Sequence, residues 1–294
     1  MKALEDRKVF SFIGGTKKAV EATTAEVRKS DPCVVSSYLE LAEKVAELQF
    51  RNPGHVLLFR GQSKNHLVDG VTSLRPSLFR DRYGRSVGAH NASIKRKFRR
   101  LAEAEKLLLE RYPASRRARD EMLFVQRVRI VRWAIIQHYD MCQTPLLDLT
   151  HSIRIAASFA SFGQSSSQCA KAFLFVVAVP QISGAVTVDV ENGVQLVRLS
   201  AVCPPNAMRP HLQEGYLIGE YPDLHHYDQK ALYRIEEVDF GHRLVAKFQF
   251  DVRLFWSSPF FPMIVPTALM QEPDPFLLVA NDIRNEARRR VPPM

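Results

Sequence analysis

The sequence has little cysteine and no long hydrophobic run. Its four cysteines, Cys33, Cys142, Cys169 and Cys203, are far apart and form no CxxC pair. Because zinc sites normally take ligands in closely spaced pairs, we expect no metal. No stretch approaches the roughly 20 apolar residues that cross a bilayer, and the N-terminal segment has two acids where a secretory signal has an apolar core. These absences predict a cytoplasmic protein with reduced cysteines and no membrane partner.

Two common enzyme motifs are also missing. The chain has no GxSxG sequence, which argues against a serine hydrolase of the α/β type. It has no Walker A glycine loop, which argues against nucleotide hydrolysis of that kind. Hydrophobic residues make up 46% and charged residues 24%, close to the average for globular proteins. A chain of 294 residues buries enough surface to fold without disulfides or a metal.

Positive charge is in excess and is concentrated in short segments. The formal net charge is +10, and a basic protein attracts polyanions, of which nucleic acid is the commonest in a cell. One predicted helix carries Lys95, Arg96, Lys97, Arg99 and Arg100, and Arg288–Arg290 lie near the end of the sequence. Two interpretations stay open: a nucleic-acid surface, or a solvated helix face with a loose tail.

Hydrophobic periodicity predicts helices in the first half of the chain and strands in the second. The predicted helices are 38–50, 91–112, 118–139 and 152–162. The predicted strands are 55–60, 145–149, 172–179, 185–190, 194–199, 216–218, 232–240 and 244–254, with a flexible loop over 164–168. This order predicts an α+β fold with a mixed sheet and a helical N-terminal half. With no linker evident, we expect one domain over 1–294, with core motifs in 55–219 and a C-terminal extension over 255–294.

The first cluster of candidate site residues is Phe59-Arg60-Gly61-Gln62, followed by Leu74-Arg75-Pro76-Ser77. An arginine at the end of an apolar strand is costly to bury unless it pairs with an anion or with carbonyl oxygens. Gly61 allows close approach of the backbone to whatever Arg60 holds. The alternative is a structural arginine that ties the strand to a carboxylate such as Asp148.

The second cluster runs from Gln137-His138-Tyr139-Asp140 to Thr144–Thr150. Strand alternation turns Asp148 away from its apolar neighbours. Thr150 can cap the helix that begins near Ser152, which leaves backbone N–H groups available to a phosphate. The alternative interpretation makes Asp148 and Thr150 capping residues and His138 a core histidine.

The third cluster is the segment from Arg209 to Tyr216. Gln213 and Glu214 precede a glycine at the start of a predicted strand, a position that presents side chains to a cleft. Glu214 is the carboxylate here that can act as a base or stabilise a developing cation. The alternative is an exposed glutamate in a turn.

In this order, the three clusters resemble the FRG domain, a family named for its Phe/Tyr-Arg-Gly motif. Phe59-Arg60-Gly61-Gln62 and Leu74–Ser77 resemble the early motifs. Gln137-His138-Tyr139 and Thr144–Thr150 resemble the central pattern QHYG…PTPLLDWT, with Ala156, Ala157, Phe159 and Ala160 following it. Arg209, Gln213 and Gly215 resemble the late element. The sequence departs from the pattern at Asp140, where glycine is usual, and at Leu149, where tryptophan is common.

The resemblance leads to a hypothesis about function, because the order of motifs is similar to that of ADP-ribosyltransferases. It implies NAD as substrate, bound by Arg60, Gly61, Gln62, His138, Tyr139, Asp148 and Thr150, with Gln213 and Glu214 as the catalytic residues. FRG domains tend to occur in bacterial and phage settings, which suggests a toxin or an anti-phage defence effector that modifies nucleic acid or protein. A neutralising or regulatory protein is a further partner that this hypothesis allows.

Two other functions stay open on the sequence. The first is a non-enzymatic nucleic-acid-binding or protein-interaction module that uses the basic helix and the Arg288–Arg290 tail. The second is a hydrolase resembling a nuclease, with Asp148 and Glu214 holding Mg²⁺.

Overall fold

The computed structural model of the chain describes residues 8–80, 92–112, 119–162, 170–203, 207–223, 239–270 and 274–292. The strands are β1 (Val9–Ser11), β2 (Val20–Ala22), β3 (Cys33–Val34), β4 (Val56–Gln62), β5 (Leu67–Val68), β6 (Val71–Thr72), β7 (Leu147–Thr150), β8 (Lys171–Val179), β9 (Val186–Asp189), β10 (Val194–Arg198), β11 (Gly215–Glu220) and β12 (Leu244–Asp251). The α-helices are α1 (Thr24–Lys29), α2 (Tyr38–Arg51), α3 (Ala92–Arg111), α4 (Arg119–Arg127), α5 (Arg129–His138), α6 (Ile153–Ser161), α7 (Met208–Leu212), α8 (Val252–Phe255), α9 (Pro266–Leu269) and α10 (Pro275–Arg290). The predicted loop 164–168 and most of the predicted strand 232–240 lie outside the described residues.

Eight strands form one mixed sheet, in the order β3-β12-β8-β4-β7-β11-β10-β9. β3 runs parallel to β12, and every other neighbouring pair in this order is antiparallel. The predicted α+β fold with a mixed sheet is therefore confirmed. The sequence patterns did not predict the two separate two-stranded pairings, β1 with β2 and β5 with β6.

Side chains alternate along each strand, so the two faces of the sheet pack in different hydrophobic clusters. Leu57 and Phe59 of β4 pack in a cluster with residues of α2 and α6. Leu58, between them, packs on the opposite face with Phe175 and Val177 of β8. A third cluster joins α3, α5 and α10 to β10 and β11. The centre of the sheet is thus covered on both sides, which fixes the position of β4.

Gly61 of β4 lies in close contact with the backbone of α6. A Cβ atom added there would lie 1.7 Å from the carbonyl oxygen of Ala156 in α6. The sequence predicts that this glycine gives room to a bound group. In the structure the room is taken by the backbone of α6, so the glycine determines how closely α6 packs on the sheet.

The start of α2 is capped by a side chain, and one predicted helix is divided in two. Ser37 caps α2, its hydroxyl accepting from the backbone N–H of Glu40 at 3.2 Å. The sequence predicts a single helix over 118–139, whereas the structure has two, α4 and α5. They are separated at Val128, whose backbone is extended (φ −112°, ψ 104°).

The C-terminal segment adds a helix to the core. Phe276, Ala280, Ile283 and Ala287 of α10 are buried against the cluster that contains α3 and α5. The residues after 255, predicted as a C-terminal extension, therefore contribute to the core. Among the described residues, no helix combines the length and apolar character that a membrane-spanning segment needs.

Candidate functional site

A cavity opens where two central strands separate. β4 pairs with β7 at Phe59 and Thr150. Beyond that point Arg60–Gln62 pair with β8 only, while Asp148 and Leu149 of β7 pair with β11. The cavity has a volume of about 440 Å³ and is lined by residues 59–63 of one strand and 148–150 of the other. The predicted site residues that line it are Arg60, Gly61, Gln62, His138, Asp148, Thr150 and Gln213.

Arg60 and Asp148 face each other across this separation. Arg60 Nη1 donates to the backbone oxygen of Asp148 at 2.8 Å and lies 3.8 Å from its carboxylate Oδ2. The Arg60 side chain is only 20% exposed and that of Asp148 is 44% exposed. Burial lowers the pKa of Arg60, and the Asp148 carboxylate opposes that shift. The Nε atom of Arg60 is buried and has no hydrogen-bond partner among the described residues.

Asp148 is fixed from the helix α5 as well. Gln137 Nε2 donates to Asp148 Oδ2 at 2.8 Å, and Gln137 Oε1 accepts from the Thr144 hydroxyl at 2.9 Å. Thr144 Oγ1 in turn accepts from the backbone N–H of Leu146 at 3.2 Å. This chain of hydrogen bonds orients the carboxylate and leaves part of it open to the cavity.

His138 places an uncharged imidazole in the cavity wall. It ends α5, as the sequence predicts. Burial and, to a smaller extent, the cation of Arg209 lower its pKa to about 4, although Asp274 opposes this shift. Its Nε2 atom is buried without a partner among the described residues. A neutral imidazole carries one donor and one acceptor nitrogen, so His138 can form a hydrogen bond to either kind of ligand group.

Thr150 and Gln213 connect β7 to the start of β11. The Thr150 hydroxyl donates to the backbone oxygen of Gln213 at 2.8 Å and accepts from Ser152 N at 3.2 Å. The Gln213 side chain donates to the backbone oxygen of Leu269 at 2.8 Å. The cap of α6 is Ser152, whose hydroxyl accepts from Ile155 N at 3.3 Å. The prediction that Thr150 caps this helix is wrong, because its hydroxyl is used to hold Gln213.

Glu214 and Tyr139 lie outside the cavity wall. Glu214 is exposed, has a positive φ of 44° and does not line the cavity. Tyr139 is fully buried, and its hydroxyl donates to Asp274 Oδ2 at 2.9 Å. The pKa of the Tyr139 hydroxyl is raised, mainly by burial and secondly by this hydrogen bond to Asp274. Asp148 and Glu214, proposed above as a metal-binding pair, are thus not brought to the same cavity.

Several residues of the cavity wall were not predicted as site residues. They are Ser63, His66, Ala156, Phe159, Leu199 and Tyr216, of which Ala156, Phe159 and Tyr216 belong to the motifs quoted from the sequence. Burial lowers the pKa of His66, and the cations Arg80, Lys64 and Arg60 lower it further. One feature of the sequence indicated that His66 belongs to the cavity wall, namely that it lies four residues after the Phe59–Gln62 motif. The aromatic rings come from α6 and β11, so only the fold could place them here.

The five cations assigned to nucleic acid divide into two groups on α3. Lys97 Nζ donates to the backbone oxygens of Ser77, Leu78 and Arg80. Arg100 Nε donates to the backbone oxygen of Val291 at 2.9 Å. Lys95, Arg96 and Arg99 line a groove shared with Arg290.

Comparison with known proteins gives a match to a family model over part of the chain. No curated protein and no solved structure matches the chain. Within the described residues there is no group of three or more His, Cys, Asp or Glu side chains suited to a metal ion. The family model described as the FRG domain matches residues 55–169. This range begins at β4 and contains both strands that border the cavity. The segment that matches the FRG domain therefore supplies Arg60, His138, Asp148 and Thr150 to the candidate site.

Proposed function

We propose that the cavity binds NAD and that the protein transfers its ADP-ribose moiety to an acceptor. The observation that carries this proposal is the Arg60–Asp148 pair, held in a cavity beside buried polar atoms that lack hydrogen-bond partners in the described part of the chain. The pair offers a cation for a phosphate or ribose oxygen and a carboxylate for a positive charge that develops on the sugar.

The unpaired atoms support a polar ligand of this size. Arg60 Nε, Gln62 Oε1 and His138 Nε2 are buried without hydrogen-bond partners among the described residues. A buried polar atom left unpaired costs about 1–3 kcal/mol, so a ligand that pairs them gains affinity. Phosphate oxygens suit the guanidinium, and ribose hydroxyls suit the amide oxygen and the imidazole. A volume of about 440 Å³ falls within the usual range of small-molecule sites.

The chemistry needs a carboxylate close to the reacting sugar. When the glycosidic C–N bond breaks, nicotinamide leaves with the bonding electrons and the ribose carbon becomes positively charged. The acceptor then forms a bond to this carbon and releases its proton to a base. Asp148 is the carboxylate that lines the described cavity, and a fixed anion there stabilises the cationic transition state. We therefore assign this role to Asp148 in place of Glu214.

Release of nicotinamide from NAD tests the proposal directly. Purified protein is incubated with NAD and with protein, DNA and RNA acceptors, and nicotinamide is quantified by chromatography. Asp148→Asn should lower turnover by about 100-fold or more, because one fixed electrostatic group is lost from the transition state. Arg60→Gln should weaken NAD binding measured by calorimetry.

Glu214→Gln is the matched control, since it removes a carboxylate that directly precedes β11 but lies outside the cavity wall. It should retain turnover within a few-fold of the unmodified protein. Thermal unfolding of each variant establishes that it is folded. If the folded protein releases no nicotinamide with any acceptor, the transferase proposal fails. If Glu214→Gln loses turnover and Asp148→Asn keeps it, the assignment of the carboxylate fails.

A further inference from the structure

The two most basic segments of the chain lie side by side in the structure. α3 and α10 pack antiparallel: Tyr112 at one end of α3 contacts Phe276, with ring centroids 5.9 Å apart. At the C-terminal end of α10, the backbone oxygen of Val291 accepts a hydrogen bond from Arg100 Nε in the middle of α3. The first half of α3 therefore meets the last turn of α10. Distant parts of the sequence thus contribute to one positively charged surface, which we call the basic surface: Lys95, Arg96, Arg99, Arg288, Arg289 and Arg290.

The basic surface contains more positive charge than its own acids neutralise. Residues 92–102 hold five cations and no acid. Arg290 pairs with Glu103 and Glu286, and Arg289 also pairs with Glu286. Arg96, Arg99 and Arg288 have no salt bridge among the described residues. The groove that Lys95, Arg96 and Arg99 share with Arg290 has a volume of about 520 Å³.

Helix stability does not account for this arrangement. The first turn of α3 carries no acidic residue, although the positive end of a helix dipole favours acids there and disfavours cations. Lys95 and Arg96 follow that turn directly. Their charges therefore oppose the helix dipole, and Lys95 also repels Arg99, which lies four residues further along the same helix face. An anionic partner would relieve both effects.

Positive charge continues from the basic surface to the cavity. Lys97 of α3 donates to the backbone oxygen of Arg80. Burial, followed by the nearby cation of Arg60, lowers the pKa of Arg80 to about 10. Arg80 and Arg60 also lower the pKa of His66 in the cavity wall. An extended anion bound on α3 and α10 would therefore be guided towards Arg60.

We infer that the basic surface binds the phosphodiester backbone of a nucleic acid. If the proposed transferase activity is correct, the bound nucleic acid is its acceptor, and this last step rests on that activity. Phosphates spaced along a strand match cations spaced along two adjacent helices, and such contacts need no particular base sequence.

A lipid surface is the other large polyanion in a cell, and the surroundings of the groove do not favour it. Helices that lie on membranes insert large apolar side chains beside their cations. Among the described residues of α3 and α10, the exposed large hydrophobic side chains are Leu109 and Leu278. Both lie at the opposite end of the helix pair from the basic surface. Phosphodiester backbone is the better match for this chemistry.

The test is equilibrium binding of the full chain to labelled nucleic acid over a range of salt concentrations. Fluorescence anisotropy is measured with a 20-base-pair DNA duplex and with a single-stranded RNA of the same length. The logarithm of affinity should fall linearly with the logarithm of salt concentration. The double variant Arg96→Gln/Arg99→Gln should lower affinity by about 10-fold or more at 0.1 M salt and reduce the slope by about two.

A matched control removes the same charge elsewhere. Lys18→Gln/Arg253→Gln alters two exposed cations on other elements and should leave the affinity and the slope nearly unchanged. Equal loss in both double variants would show only a general effect of net charge and would overturn the inference. Absence of binding to either nucleic acid, or tighter binding to anionic phospholipid vesicles, would overturn it as well. The assay contains no NAD, so a failed transferase activity and a failed nucleic-acid surface give separate results.

Discussion

Arg60 illustrates how the fold accommodates a cation at the end of an apolar strand. Its side chain is only 20% exposed, and an isolated buried charge is strongly unfavourable. A backbone oxygen and a carboxylate, both from Asp148, offset this cost on one side of the guanidinium. The Nε atom on the other side has no partner among the described residues. The structural and ligand-binding interpretations of Arg60 are therefore compatible, because the two roles use different nitrogens.

His138 provides a pH-dependent test of its buried, uncharged state. Burial lowers its pKa from an ordinary value of 6.5 to about 4. Between these values the unfolded chain binds a proton that the folded chain does not, so the free energy of unfolding decreases as pH falls through this window. Above about pH 6.5 this loss is absent, and on acidification to below about pH 4 it lowers the free energy of unfolding by at most about 3 kcal/mol.

The measurement is denaturant unfolding at several pH values between 4 and 7, with the protein compared with His138→Gln. The variant should lose part of the pH dependence in this window, because glutamine does not titrate. His211→Gln, at an exposed histidine, should keep it. Identical pH profiles for the protein and His138→Gln would contradict a buried, neutral His138.

At the level of elements, the cavity exists because β4 and β7 pair at one end and separate at the other. α6 packs on β4 beside this separation, and Ala156 and Phe159 of α6 complete the cavity wall. The distance between α6 and β4 is set by the contact at Gly61. The position of α6 therefore links packing in the core to the shape of the site.

Gly61→Ala should destabilise the protein, because its methyl group would overlap the carbonyl oxygen of Ala156 at 1.7 Å. Backbone atoms cannot rotate away as a flexible side chain can, so the two elements must move apart. We expect a loss of about 3 kcal/mol in the free energy of unfolding, measured with chemical denaturant.

Gly54→Ala is the control for this substitution. A Cβ atom at Gly54 meets no atom of the described residues within 4 Å, so its effect should stay within about 1 kcal/mol. A stable Gly61→Ala protein with unchanged NAD binding would show that α6 does not approach β4 as closely as described.

For the whole molecule, the C-terminal helix connects the core to the candidate site. Asp274 caps α10 by accepting from the backbone N–H of Phe276 at 3.0 Å, and it also accepts from Tyr139. Arg284 of α10 donates to the backbone oxygens of Tyr139 and Asp140. These bonds hold the end of α5, where His138 lies. Tyr139 thus supports the end of α5 from behind and does not line the cavity.

Two substitutions on the same helix test the role of α10 in the core. Ile283 is fully buried, whereas Leu278 is 76% exposed. Ile283→Ala should lower the free energy of unfolding by about 3 kcal/mol, because it removes buried methylene groups and leaves a cavity. Leu278→Ala should change it by about 0.5 kcal/mol or less. Thermal and denaturant unfolding followed by circular dichroism measure both, and equal effects would contradict packing of α10 on the core.

Local sequence signals determined most elements of this fold. The serine cap of α2, the apolar run of β4 and the alternation around Asp148 depend on neighbouring residues, so they can be read from short segments. The ordered motifs likewise predicted that Arg60, His138, Asp148, Thr150 and Gln213 belong to one site, and all five line the same cavity. The separation of α4 from α5 and the burial of α10 were missed, because both depend on distant packing.

Tertiary structure alone decided which polar atoms face the cavity and which are used elsewhere. Gln213 and Glu214 are adjacent in sequence, yet only Gln213 lines the cavity. Gly61 has the local freedom to admit a ligand, but α6 occupies that space. The order of strands, the gap between β4 and β7 and the meeting of α3 with α10 involve residues that are far apart in the chain. The sequence by itself determined the chemical groups and the local elements, whereas long-range packing determined their neighbours, because each contact forms only when the sheet and its helices assemble together.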